Sequence, residues 1–159
     1  DTRPVSAVKT LMSQTFADPQ GIAKAAGSFI SADECLYEDD EVSVYWVRFA
    51  PHELVPPHNH RMPAFLGVYE GSEVNLLYRQ EESGQLELVK RRVLNPGDTM
   101  SMGGDGIHAV HTEDAMPSLG FHIYLGRLST VSRDLFDTET GRSMPFTDEN
   151  YQMLLRPLR

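Results

Sequence analysis

The sequence predicts an all-β domain, an antiparallel sandwich or barrel with short helices before it and one after it. Short β-branched and aromatic runs recur from Cys35 onward. Turn signals separate them at Glu70-Gly71, Ser83-Gly84, Asn95-Pro96-Gly97-Asp98 and Gly103-Gly104-Asp105-Gly106. Helical spacing is found toward the two ends of the chain, and regular strands parted by turns make a sandwich or barrel rather than a βαβ unit.

In order along the chain, Val5, Val8, Leu11, Met12 and Phe16 recur near helical spacing between Pro4 and Ala17, and Asp18-Pro19 breaks that helix before a second short one through Ile22–Ala26. These helices are expected to cover one edge of the β region. Strands are expected at 42–50, 64–71, 73–80, 86–94, 107–112 and within 118–128. A last helix is expected to start at Thr147 as N-cap and to run through Leu155. The organisation is one domain over 1–159, with helices in 1–28, a barrel in 34–128 and a tail with a short helix in 129–159.

Composition removes some classes of function. A chain of 159 residues with 40% hydrophobic content can close a core. The net charge of −9, with Glu38, Asp39, Asp40, Glu41 and Glu81, Glu82 read as solvated acids and no basic stripe, argues against nucleic acid. No apolar stretch approaches the roughly 20 residues that span a bilayer, so no membrane is expected. The single cysteine, Cys35, favours a reducing compartment, the cytoplasm, and is read as a small buried residue.

The chemistry concentrates in PPHNHRMPAFLGVYEG (56–71) and NPGDTMSMGGDGIHAV (95–110). Histidines at i and i+2 of a strand project from one face, so His58 and His60 can reach one ion, and a third ligand has to come from another strand, where His108 stands. His111, three residues on, falls on the opposite face and reads as a surface or supporting residue. His52 reads as a solvated loop histidine. Glu70, beside Gly71, reads as an exposed turn residue outside the ligand set.

PxHxH, a strand pair, PGD and a final Gly-x-His resemble the two sequence motifs of the cupins over roughly Val42 to Leu128. HNHRMPAFLGVYEGSEVNLLYR is more narrowly similar to the cysteine dioxygenase-like thiol dioxygenases, metal-dependent double-stranded β-helix proteins. The resemblance implies a three-His site for Fe(II), and the imidazole set leaves Ni, Cu, Zn and Mn open as alternatives. Met62-Pro63-Ala64-Phe65 holds no carboxylate where many cupins carry a fourth ligand. Three facial ligands leave positions for a substrate thiolate and O2.

The same resemblance implies that His122 and Tyr124 match the His and Tyr of a Ser-x-His-x-Tyr strand that serves the bound substrate. Gly120 stands in place of the Ser, so the outer end of that relay is missing or rebuilt by Ser118 or water. No cysteine follows the HxH to crosslink with Tyr124. Ser31 to Tyr37 contains no Arg to clamp a substrate carboxylate, and the substitutes on offer are Arg48 and Arg61. The expected activity is oxygen-dependent oxidation of a small molecule, with a thiol taken to a sulfinate as the leading case and a homodimer as a possible assembly. The alternatives are an isomerase, lyase or ring-cleaving dioxygenase using the ion as a Lewis acid, and a cupin that binds metal or ligand without catalysis.

Overall fold

The computed structural model describes residues 3–29 and 31–158. Two helices, α1 (Arg3–Thr15) and α2 (Pro19–Ala26), lead into strands β1 (Asp33–Glu38), β2 (Ser43–Phe49), β3 (Glu53–His58), β4 (Ala64–Glu70), β5 (Glu73–Gln80), β6 (Leu86–Leu94), β7 (Thr99–Met102), β8 (Ile107–His111) and β9 (Ser118–Tyr124). A 3-10 turn at Leu128–Thr130, strands β10 (Asp134–Phe136) and β11 (Ser143–Pro145), helix α3 (Asp148–Leu154) and a short β12 (Arg156–Pro157) complete the order. Thr147 caps α3, accepting from the Asn150 amide at 3.2 Å, and Asp18 caps α2 through the Gly21 amide at 2.9 Å.

The strands form two antiparallel sheets. One runs β1-β2-β9-β4-β7 and the other β11-β10-β3-β8-β5-β6, with β12 added to β3. Between them lies a core of Ala64, Leu66, Val68, Leu94, Met100, Tyr124 and Leu128. Alternation places every second residue of β9 inward, so Ser118, Gly120, His122 and Tyr124 are buried between the sheets while Leu119, Phe121 and Ile123 face out.

The N-terminal helices lie on the outer face of the first sheet rather than along an edge. Met12 and Phe16 pack with Trp46, Phe65 and Tyr69, and the outward residues of β9 complete the cluster. The Phe16 ring sits directly on Gly67, where a Cβ would come within 2.4 Å of it. Burying a phenyl ring in this way stabilises the fold by about 1.5–3 kcal/mol. The sheet is apolar on both faces there, which is why helices cover its face.

Other differences from the sequence reading have local causes. β3 carries Pro56 and Pro57, which lack the N–H of a regular ladder and hide the strand from a pattern reading. Its pairing with β8 is irregular between Val55 and His58. β10, β11 and β12 are only two or three residues long. Cys35 is exposed, because β1 is an edge strand that pairs on one side only. Of the acidic cluster, Glu38 accepts from Ser129 and Ser43, and Asp39 accepts from the amides of Glu41 and Val42, so these two organise loops.

Candidate metal centre

His58 ends β3 directly opposite His108 on β8, and His60 follows two residues beyond the end of the strand. All three are buried, at 6%, 2% and 1% exposure. Their imidazoles converge, with Nε2 of His108 3.1 Å from Nε2 of His58 and 3.0 Å from Nε2 of His60.

Donor counting shows what lies between these nitrogens. Nδ1 of His58 is 2.9 Å from the Pro56 carbonyl, which can only accept, so Nδ1 carries the proton. Nδ1 of His108 is 2.7 Å from Oδ1 of Asn75, whose amide is oriented by donating Nδ2 to Oε1 of Glu73 at 2.7 Å. His108 is therefore also the Nδ1–H tautomer. Burial pushes His58 down to about 3 and holds His60 and His108 well below the ordinary histidine range, so all three stay neutral. Nε2 of His58 and Nε2 of His108 are thus two lone pairs facing each other in a dry site, an arrangement a cation between them stabilises. Two nitrogens about 2.1 Å from one ion and 90° apart lie about 3.0 Å from each other, so the cluster fits a first-row divalent metal.

Beside the cluster is a cavity of about 540 Å³, lined by the three histidines and by His122, Tyr124, Tyr45, Phe146 and Arg133. Tyr124 packs its ring 4.8 Å from that of His60 and edge-on to Tyr45 at 5.9 Å. Its hydroxyl is 3.1 Å from Nδ1 of His122, and burial raises its phenol above the ordinary value. Arg133, in the segment between the 3-10 turn and β10, holds its guanidinium 3.9 Å above the Phe146 ring. Among the described residues no carboxylate pairs with it, and burial lowers its pKa from the free value.

The sequence-predicted residues fall into separate places. His58, His60, His108, His122 and Tyr124 come together around the cavity, and Arg48 lines its rim as an exposed residue. Arg61, with a backbone φ of 56°, turns away and pairs with Asp134 beside a different cavity. Glu70 is exposed, as is His52, but His111 is buried at 8% exposure with no hydrogen-bond partner for Nδ1, so it is not a surface residue. Neither is Ser118 the outer end of a relay, since its hydroxyl has no partner. A Cβ on Gly120 would stand 2.3 Å from the Gly67 carbonyl of the adjoining strand, which leaves no room for a serine there. The group that faces His122 is Glu73, with Oε2 3.5 Å from Nε2. Sequence reasoning missed Glu73, Asn75 and Arg133. The signal for the first two was available, a Glu and an Asn two apart on one face at the start of a strand whose next residues are apolar.

No protein-family model matches the sequence. Solved structures resemble it over most of its length. A Bacillus halodurans protein aligns with a TM-score of 0.58 at 16% identity, over 66% of this chain and 77% of the other. An RmlC-like cupin with a double-stranded β-helix fold from Methanocaldococcus jannaschii aligns with a TM-score of 0.52 at 12% identity, over 65% of this chain and 86% of its own. The fold is that of a cupin. The DMSP lyase DddQ of Ruegeria pomeroyi shares this cupin architecture with a TM-score of 0.53 at 23% identity, over 69% of the present chain and 57% of the lyase. Cupins of this likeness share a scaffold, and their chemistry lies in the groups set around the barrel interior.

Proposed function

We propose that this cupin is a mononuclear non-heme Fe(II) oxygenase that oxidises a small thiol carrying an anionic group. The observation that carries the reading is the pair of opposed Nε2 lone pairs on His58 and His108, completed by His60, beside a cavity that a Tyr-His pair and Arg133 also line. His58, His60 and His108 would hold the ion without a carboxylate ligand. When bound, the iron would supply the redox chemistry that couples oxidation of sulfur to reduction of O2. Overall, R–SH and O2 give R–SO2H: the O–O bond breaks, two S–O bonds form, and the thiol hydrogen remains on the sulfinic acid.

The chain's own groups supply binding and orientation. Arg133, stacked on Phe146 and without a carboxylate partner among the described residues, offers a planar two-pronged donor set to a substrate carboxylate. Arg48 at the rim is a second cation facing the same cavity. Tyr45, Phe146 and Tyr151 wall the substrate and exclude water. Tyr124 packs its ring beside His60 and lines the same cavity, and its hydroxyl would touch a ligand on the ion.

The test is metal analysis of protein purified without added metal, followed by oxygen-electrode assays of the Fe(II)-loaded protein with small thiols, with and without a carboxylate. Uptake of one O2 per thiol, strongest for the carboxylate-bearing thiols, is expected. Turnover of a substrate in the absence of O2 would instead place the protein with Lewis-acid cupins.

A further inference from the structure

Glu73 opens β5 at 0% exposure, the most completely buried carboxylate among the described residues. One of its oxygens accepts from Asn75, and Asn75 accepts from the ligand His108 on the same sheet. The other oxygen has no hydrogen-bond partner, and neither has Nε2 of His122, which belongs to the opposite sheet. These two unpartnered buried atoms stand 3.5 Å apart, and a shift of a few tenths of an ångström closes a charge-assisted hydrogen bond between them. An unpaired carboxylate oxygen is far too costly in such a place to be incidental.

We infer that Glu73 is a positioning residue that fixes the tautomers of His108 and His122 together, tying the metal cluster on one sheet to the Tyr-His pair on the other. The inference deepens the oxygenase reading and rests on it for its catalytic consequence. A carboxylate can only accept. On one arm it orients the Asn75 amide so that His108 keeps its proton on Nδ1 and presents Nε2 to the ion. On the other arm it takes the Nε2–H of His122, so Nδ1 of that ring is a lone pair and Tyr124 has to donate its hydroxyl proton to it. The phenolic oxygen then shows only lone pairs to the cavity. The substrate atom it recognises must be a hydrogen-bond donor, as a thiol S–H or an ammonium group is, and Tyr124 is the acceptor in that contact. The hydroxyl–imidazole–carboxylate order follows the same orienting logic as a serine hydrolase triad, with a phenol in place of the serine. It also takes up the place left empty at Gly120, where the neighbouring strand excludes a side chain.

The readout is the histidine ring region of long-range ¹H–¹⁵N NMR spectra, recorded with and without Zn(II) as the metal probe. His108 as the Nδ1–H form and His122 as the Nε2–H form are expected in the wild-type chain. In Glu73→Gln the side-chain oxygen keeps Asn75 and the amide nitrogen turns to His122, so His122 switches to the Nδ1–H form while His108 is unchanged. The thiol-dependent kcat should fall by 10-fold or more at unaltered metal content. A wild-type His122 protonated on Nδ1, or on both nitrogens, overturns the assignment even if no variant folds, and so does a Glu73→Gln protein whose His122 tautomer is unchanged. The expected tautomers with no O2 uptake for any thiol would uphold the positioning role and overturn the oxygenase reading alone.

Discussion

The Nε2 atoms of His58 and His108 face each other at 3.1 Å with no proton between them, because both rings spend their single N–H on the far side, one on the Pro56 carbonyl and the other on Asn75. Without a cation this contact is repulsive, so metal removal should be felt by the whole fold. One divalent ion per chain is expected by metal analysis, and chelation should lower Tm, since an ion at about 100 times its Kd stabilises the folded state by about 2.7 kcal/mol. His58→Ala should abolish stoichiometric binding. A variant lacking all three imidazoles that still holds one equivalent of metal would refute the centre.

The support behind His108 makes a separate prediction. Asn75→Leu removes the acceptor for its Nδ1–H and the donor to Glu73, leaving two buried polar groups without partners. Metal affinity should fall by about 10–100-fold while the three ligands remain in place. Competition titration with a chelator of known affinity measures this, and an unchanged Kd would mean that the imidazole needs no support from Asn75.

These two predictions also divide what the sequence displayed from what it concealed. The HxH at 58–60 and the histidine after the PGD turn are legible because ligand spacing is local, and the turns between regular strands are legible because Gly, Pro, Asn and Asp punctuate them. Asn75 is a different case. It meets His108 only because β5 pairs with β8 in a register that sets Asn75 diagonal to it, and no local pattern encodes that register. Arg133 lay in a segment read as tail, yet the pairing of Leu135 with His58 carries it to the cavity. Cys35 was misplaced for the converse reason: a lone thiol reads as a small buried residue, but its strand β1 lies at a sheet edge and leaves it exposed.

Acid should destabilise the metal-free protein through the same histidines. Burial keeps His58 neutral down to about 3, whereas an unfolded imidazole takes up its proton near 6.5. Between those values the unfolded chain binds more protons than the folded one, so stability is fully present above about pH 6.5 and declines as pH falls. His58 contributes about 1.4 kcal/mol per pH unit across that window, and His60 and His108, also held below the ordinary range by burial, act in the same direction. Thermal unfolding from pH 7 to pH 4 should show the decline, and His58→Gln should make it shallower by about one proton's worth. Equal slopes in the two proteins would mean that His58 protonates freely in the fold.

Arg133 is predicted to set substrate affinity. Arg133→Met keeps the stacking on Phe146 and removes the charge, so KM for a carboxylate-bearing thiol should rise by at least 10-fold while KM for an uncharged thiol changes little. Arg133→Lys should recover only part of the loss, because an ammonium cannot reproduce the planar fork. A uniform change for both thiols would assign Arg133 to the cavity wall, and Arg48 would then be the remaining cation on that cavity.

Tyr124 joins stability and chemistry in one hydroxyl, and its removal separates them. Tyr124→Phe keeps the ring against His60 and Tyr45 but leaves Nδ1 of buried His122 without its donor, at a cost of about 1–3 kcal/mol in stability. If the hydroxyl also serves a ligand on the ion, turnover per bound metal should fall by about 10²–10⁴-fold, the loss typical of a positioned proton-transfer group. The two effects are read on the same preparation, Tm for the first and oxygen consumption normalised to metal content for the second. A Tyr124→Phe protein with lowered Tm and undiminished turnover would confine Tyr124 to holding the core. The three histidines would then be a metal centre on which the Tyr-His pair has no chemical claim, and the thiol oxygenase reading would lose the feature that separates it from other activities on the cupin fold.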